Sequence, residues 1–201
     1  MNNRADDDRI TGWALAAGEG DRDAAAAFVR ATQHHVWRFL AHIAGPDEAE
    51  DLSQETFLRA LRSLPGFAGR STARTWLFTI ARRVAVDHVR AAMSRPRTAA
   101  VENWEAVADA AGGPRFEEEL VLRGLLDDLA PERREAFVAT QVLGLSYAEA
   151  AQVCECPVGT IRSRVARARE DLAAAIDPGE DRRPTPRSRA DRRPLRRPRA
   201  G

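Results

Sequence analysis

The stretch from Leu143 to Leu172 constrains this chain most. It reads Leu143-Gly144-Leu145-Ser146-Tyr147-Ala148-Glu149-Ala150-Ala151, a short turn with Cys156-Pro157, then Val158-Gly159-Thr160-Ile161-Arg162-Ser163-Arg164-Val165-Ala166-Arg167-Ala168-Arg169. Ser146 is placed to cap a first helix, and Glu149 completes a capping box. On the second segment Ile161, Val165, Ala168 and Leu172 recur at i, i+4, i+7 and i+11, the apolar stripe that anchors a helix to its domain. A small residue, Ala150, falls where the two helices must cross closely. The pattern predicts a helix-turn-helix.

The face opposite that stripe carries Thr160, Arg162, Ser163, Ala166 and Arg167, with Arg164 and Arg169 at its edges and no acid before Glu170. Arginines that decorate a solvated helix usually have a carboxylate one turn away, and Arg162, Arg164 and Arg169 have none at that spacing. Arg can bond guanine bidentately, Ser can bond base or phosphate, and a small Ala lets a helix enter the major groove. The face is read as DNA-binding.

Aromatic content is 6% and alanine is abundant, which suits small helical units better than a β-sandwich. An all-α chain of two small helical domains is expected. Residues 1–20 are polar and read as a flexible N-terminus. A first domain spans 21–95, with helices over Asp21 to His42, Asp47 to Ser63 and Thr72 to Met93; Gly45-Pro46 stops the first, and Leu64 to Ser71 is a loop. Residues 96–116 have the composition of a flexible linker, six acids facing two arginines between Pro96 and Glu119. The second domain spans 117–176, with helical segments over Phe116 to Leu129, Pro131 to Leu143, Ser146 to Val153 and Val158 to Ile176. Residues 177–201, rich in Arg and Pro, are expected to stay extended and disordered, either as a solvated tail or grazing nucleic acid without sequence preference.

All 31 basic residues are Arg, a bias that first reflects a GC-rich genome, and the net charge of +1 hides the segregation of basic and acidic segments. The N-terminus lacks the basic and apolar blocks of a signal peptide, and no apolar run approaches the ~20 residues of a membrane span. A cytoplasmic protein without a membrane partner is expected. Cys154 and Cys156 are too few for a disulfide framework and lack the further ligands of a four-coordinate zinc site. No metal, no cofactor and no enzymatic activity are expected, since His34, His35, His42 and His88 show no ligand spacing and no nucleophile or phosphate-loop motif is present.

The run Ser146 to Leu172 resembles the fourth conserved region of extracytoplasmic function (ECF) sigma factors, and the resemblance implies that its second helix reads the upstream (minus 35) promoter element. Glu155 departs from the family, where that turn position is usually Gly; if the backbone there is left-handed, Glu costs about 1 kcal/mol. In the first domain, Asp51-Leu52-Ser53-Gln54-Glu55-Thr56-Phe57-Leu58-Arg59-Ala60 resembles the second conserved region. That resemblance implies docking on the β′ clamp coiled coil of core RNA polymerase through Asp51, Gln54, Glu55 and Leu58. A helical wheel independently puts Ala49, Leu52, Thr56, Phe57, Ala60 and Leu61 on one side and leaves Leu58 as an apolar residue within an otherwise charged face.

In the long helix Leu77, Ile80, Ala81, Val84 and His88 share one side, while Thr79, Arg82, Arg83, Val86 and Arg90 form a basic side expected to be exposed. Phe67-Ala68-Gly69-Arg70-Ser71 and Arg74-Thr75-Trp76-Leu77 look like the family's loop and helix that hold the downstream (minus 10) element. The implied contacts are Phe67, Gly69, Arg70, Ser71, Trp76, Arg82, Arg83 and Arg90. A pocket for a flipped base needs flexible backbone, hydroxyls and a stacking surface. Gly66 and Gly69, Ser71 and Thr72, and Phe67 supply them. Trp76 is read as core before base contact.

Ala31-Thr32-Gln33 and Val36-Trp37-Arg38-Phe39 look closest to the sigma factor C type of actinobacteria. The partners implied are core RNA polymerase, through its β′ clamp and β flap, promoter DNA, and an anti-sigma factor as a further candidate. Two rivals stand beside this reading. A dimeric helix-turn-helix regulator would explain 117–176 but leave the first domain without a role, and a polymerase- or RNA-binding protein without promoter specificity would keep the docking face alone.

Overall fold

The computed structural model describes residues 4–94 and 123–176. The proposed linker 96–116 and tail 177–201 lie outside the described residues. Local sequence signals set the helix ends. Asp21 caps α2 (Arg22–Ala44), its carboxylate accepting from the amides of Asp23 and Ala24 at 2.9 and 3.0 Å. Gly45, at φ 99°, breaks the chain, and Pro46 opens α3 (Pro46–Ser63) at a position where the missing N–H costs nothing. A 3-10 turn (Leu64–Gly66) and an irregular loop then lead into α4 (Ala73–Ser94).

Residues 4–18, expected to be flexible, instead form helix α1 (Arg4–Gly18) packed on the first domain. Its apolar stripe is short: Ile10 and Ala14 are buried, with Trp13 and Ala17 packed beside them. The polar look of the segment misled because buried Asp7 is not solvated but paired with Arg74 at 3.1 Å.

Phe28, Phe39, Leu40, Leu77 and Phe78 fill the centre of this domain, with the rings of Phe39 and Phe78 edge to face at 5.6 Å. Truncating either ring costs on the order of 3–5 kcal/mol in a core this closely packed. Two buried hydroxyls are satisfied along their own helices, Thr32 donating to the Phe28 carbonyl and Thr56 to that of Leu52.

The second domain runs through a helical segment over 123–127 (α5), α6 (Pro131–Phe137), a π-helical turn (Val138–Val142), α7 (Tyr147–Val153) and α8 (Val158–Ile176). The expected α-helix from Pro131 to Leu143 thus widens over its last turn. There the Leu143 amide donates five residues back to Val138, and the Thr140 hydroxyl donates to the Ala136 carbonyl at 2.8 Å. Such back-bonding loosens helical hydrogen bonding. Ile161, Val165, Ala168 and Leu172 are buried, as their spacing predicts, and Ala150 has no exposed surface at the α7–α8 crossing.

The two domains share one continuous apolar core, and polar contacts join them. Arg82 pairs with Glu135, Arg83 with Glu155 at 2.7 Å, and Arg74 donates to the Leu143 carbonyl at 3.0 Å. Thr75 donates to Glu149 at 3.3 Å, and Arg123 donates to the Ala41 carbonyl at 3.0 Å.

Candidate nucleic-acid interface

Helix α8 is presented by the turn before it. The Ser146–Glu149 capping box is complete, the Ser146 hydroxyl accepting from the Glu149 amide and the Glu149 carboxylate accepting from the Ser146 amide at 2.8 Å. Glu155 has φ 51°, the left-handed conformation suspected from its position, so the turn carries the cost of a side chain where glycine would have none. Arg162, Ser163, Ala166, Arg167 and Arg169 are exposed on α8, while Thr160 and Arg164 are half-buried. Arg169 donates to Gln141 at 2.8 Å, which steadies it at the edge of the face, and Arg164 reaches back to the Cys156 sulfur at 3.7 Å. A basic helical face anchored by a buried stripe is the arrangement by which a helix enters a major groove.

The residues proposed for the downstream element are brought to one end of the first domain. Gly69 and Arg70 are exposed, Ser71 half-buried, and the rings of Phe67 and Trp76 lie 4.9 Å apart. Trp76 is therefore packed against the loop's own aromatic and only half-buried, between the two roles weighed for it.

The basic side of α4 differs from expectation. Arg82 is only 19% exposed, paired with Glu135 and, at 3.5 Å, with Glu155, while Arg83 donates twice to Glu155. Phe78 and Ala85 are buried as well. The second domain covers a strip that a single-helix wheel leaves open, because the wheel cannot know which distant acids approach it. Arg90 stays exposed. Burial holds the Glu135 carboxyl above its ordinary range against the pull of Arg82, whereas Arg83 holds Glu155 below it.

On α3, Asp51 and Gln54 are exposed, Glu55 half-buried, and Leu58 is 50% exposed. Glu55 is bonded by Arg59, which also donates to Asp87. Gln54 and Leu58, but not Asp51 or Glu55, line an open groove between α2 and α3, whose floor and walls include Val29, His34, Trp37 and Phe57. Sequence reasoning singled out none of those four for this surface. Leu61, assigned to the packed side, is 40% exposed and lines the same groove. The signal was present in the spacing of Val29 and Trp37, two helical turns apart and so on one side of α2.

The thiols do not make a site. Cys154 is buried and its pKa is pushed up to about 12 by burial, and Cys156 is half-buried. Among the described residues no group of three His, Cys, Asp or Glu is placed to hold a metal ion, and no helix is long and apolar enough to cross a membrane.

Comparison with known proteins fits this geometry. Residues 28–95 match Sigma-70 region 2, and residues 119–172 match Sigma-70 region 4. The chain is 50% identical over 177 residues to a probable RNA polymerase sigma-C factor of Mycobacterium bovis, covering 88% of this chain and 96% of the relative. It is 33% identical over 172 residues to the ECF RNA polymerase sigma-E factor of Escherichia coli K12, covering 80% and 90%. Among solved structures it is similar to CnrH in complex with the cytosolic domain of CnrY, with a TM-score of 0.66 and 26% identity over 86% of this chain and 98% of that one. It is also similar to the Bartonella quintana sigma factor RpoE in complex with the anti-sigma factor NepR, with a TM-score of 0.59 and 26% identity over 74% and 94%. With both regions matched in order and such similarity along most of its length, the chain belongs to the extracytoplasmic function sigma factors of the sigma-70 family, the initiation factors of RNA polymerase.

Proposed function

We propose that three surfaces of this sigma factor divide the work of initiation. The α3 face of Asp51, Gln54, Glu55 and Leu58, with the adjoining groove, docks on the β′ clamp coiled coil of core polymerase. The loop after α3 and the basic side of α4 hold the downstream element as the duplex opens, and α8 reads the upstream element as duplex while its domain meets the β flap. The observation that carries the reading is the exposed face of Arg162, Ser163, Ala166 and Arg167 lying opposite the buried stripe of α8.

In the closed arrangement α8 is open to solvent while Arg82 and Arg83 are engaged by Glu135 and Glu155. DNA can therefore use Arg82, the more covered of the two, only after the second domain leaves α4, whereas exposed Arg83 need only exchange Glu155 for a phosphate. The solved relatives bound to CnrY and NepR support an anti-sigma factor as a further partner. The chain acts without catalysing a reaction of its own, in the cytoplasm where polymerase works. Transcription from genomic fragments by core polymerase, with and without this protein, tests the reading. Discrete new start sites sharing two spaced elements are expected, and no change in start sites refutes it.

A further inference from the structure

Helix α1 touches the loop between α3 and α4 at its beginning, its middle and its end. At the beginning, Gly18 lies so close to Leu64 that a Cβ there would sit 2.6 Å from the Leu64 carbonyl oxygen. In the middle, Leu15 backs Gly69: a Cβ on that glycine would lie 3.7 Å from a Leu15 methyl, and Gly69 itself holds φ 65°. At the end, the Ala73 amide, the first of α4, donates to the Thr11 hydroxyl at 3.0 Å, and that hydroxyl donates to the Asp7 carbonyl at 2.7 Å. Asp7 then pairs with Arg74, the next residue of α4. These contacts lie along a single face of α1, and the far side of the loop, with exposed Gly66 and Arg70, is left uncovered.

A loop with two glycines samples many backbone conformations, and a pocket for an unstacked base needs one of them. Fixing that conformation in advance spares its ordering cost when the base arrives. We propose that α1 is a positioning element for base capture, with Thr11, Leu15 and Gly18 holding the loop of residues 64–72 in its receptive shape. The inference rests on the reading of this loop as the holder of the downstream element. Thr11, Leu15 and Gly18 need not touch DNA. They act through Ala73, Gly69 and Leu64.

Thr11→Val keeps the shape of the side chain and removes both hydrogen bonds, Thr11→Ser restores the hydroxyl, and Leu15→Ala changes a residue already 41% exposed, which keeps a folded variant in hand. Each full-length variant is bound to core polymerase and scored on a promoter library randomised in the downstream element, and by permanganate reactivity of the opened strand. Thr11→Val and Leu15→Ala should each lower the yield of open promoter and the discrimination at the captured base by roughly fivefold, the scale of one lost hydrogen bond or comparable contact. Thr11→Ser should recover most of the loss, and affinity for core polymerase should not change, because the docking face lies on α3. A parallel arm deletes Gly66 to Arg70. If the deletion blocks opening while Thr11→Val and Leu15→Ala open and discriminate as the parent does, the role of α1 is overturned and the loop reading stands. Normal opening by the deletion variant overturns both. A loss in Thr11→Val that Thr11→Ser does not recover also overturns the inference, since it would then not depend on the hydroxyl.

Discussion

Glu155 joins two opposing contributions in one side chain, and replacing it separates them. Its φ of 51° costs a non-glycine residue about 1 kcal/mol, and Glu155→Gly removes that cost. Its carboxylate pairs with Arg83 at 2.7 Å, but the two side chains are 47% and 62% exposed. A pair so open to water contributes about 0–1 kcal/mol. The backbone gain falls on the second domain alone, whereas the loss of the pair falls on the contact between domains. Glu155→Gly is therefore expected to raise hydrogen-exchange protection of α7 and α8 by about fivefold, the equivalent of 1 kcal/mol, and to loosen the contact with α4. Glu155→Gln keeps the backbone cost and loses the charge, so it should loosen the contact with no gain in protection. Protection is read by hydrogen exchange on the full chain. The contact is read as a distance distribution between labels at Arg90 and Arg167. Equal protection in the two variants would show that the left-handed backbone carries no such cost. A distribution left unchanged by both would show that the pair does not hold the domains together.

The double variant Glu55→Arg, Leu58→Asp should abolish co-elution with core polymerase while leaving the thermal unfolding midpoint within a few degrees, and retained co-elution would contradict the docking face. Arg162→Ala and Arg167→Ala should relax base preference at upstream positions by about five- to 150-fold, the range of a bidentate Arg–guanine contact. Arg169→Ala, at the edge of the face, should instead weaken binding to all sequences alike and flatten its salt dependence; a promoter library randomised upstream distinguishes the patterns. Because Arg83 depresses the Glu155 carboxyl, the pair's contribution is full at neutral pH and is lost as pH falls through the folded-state value. Arg83→Ala should bring the Glu155 midpoint up toward that of an ordinary glutamate in a carbon-detected NMR titration, and an unmoved midpoint would rule out the pair in solution.

Much of the fold was legible because helix ends announce themselves chemically. Asp21 and Ser146 placed helix starts to within a residue, the helix expected from Asp47 begins one residue earlier at Pro46, and the stripe of Ile161, Val165, Ala168 and Leu172 fixed which side of α8 faces out. Helix α1 was not legible. Its stripe is too short to signal amphipathicity, and the pairing of Asp7 with Arg74 depends on a residue far along the chain. The fate of Arg82 and Arg83 was hidden for the same reason, since periodicity reports which side of a helix is polar and not what approaches it. The π-helical turn at Val138–Val142 escaped because Val138 and Val142, four residues apart, fit an α-helical pattern equally well.

Arg74 stands at the meeting of these hidden contacts. One guanidinium pairs with Asp7 of α1, lies 5.9 Å from the centre of the Phe78 ring and donates to the Leu143 carbonyl at the end of the π-helical turn. Groups that share a partner do not contribute independently, so substitutions at Asp7 and in the turn before Leu143 should show energetic coupling in a double-mutant cycle. The consequence reaches to how such a protein can change over generations. A substitution that reorients Arg74 alters the seating of α1 and the grip of the second domain at once, so these two distant segments are free to diverge only in step with each other.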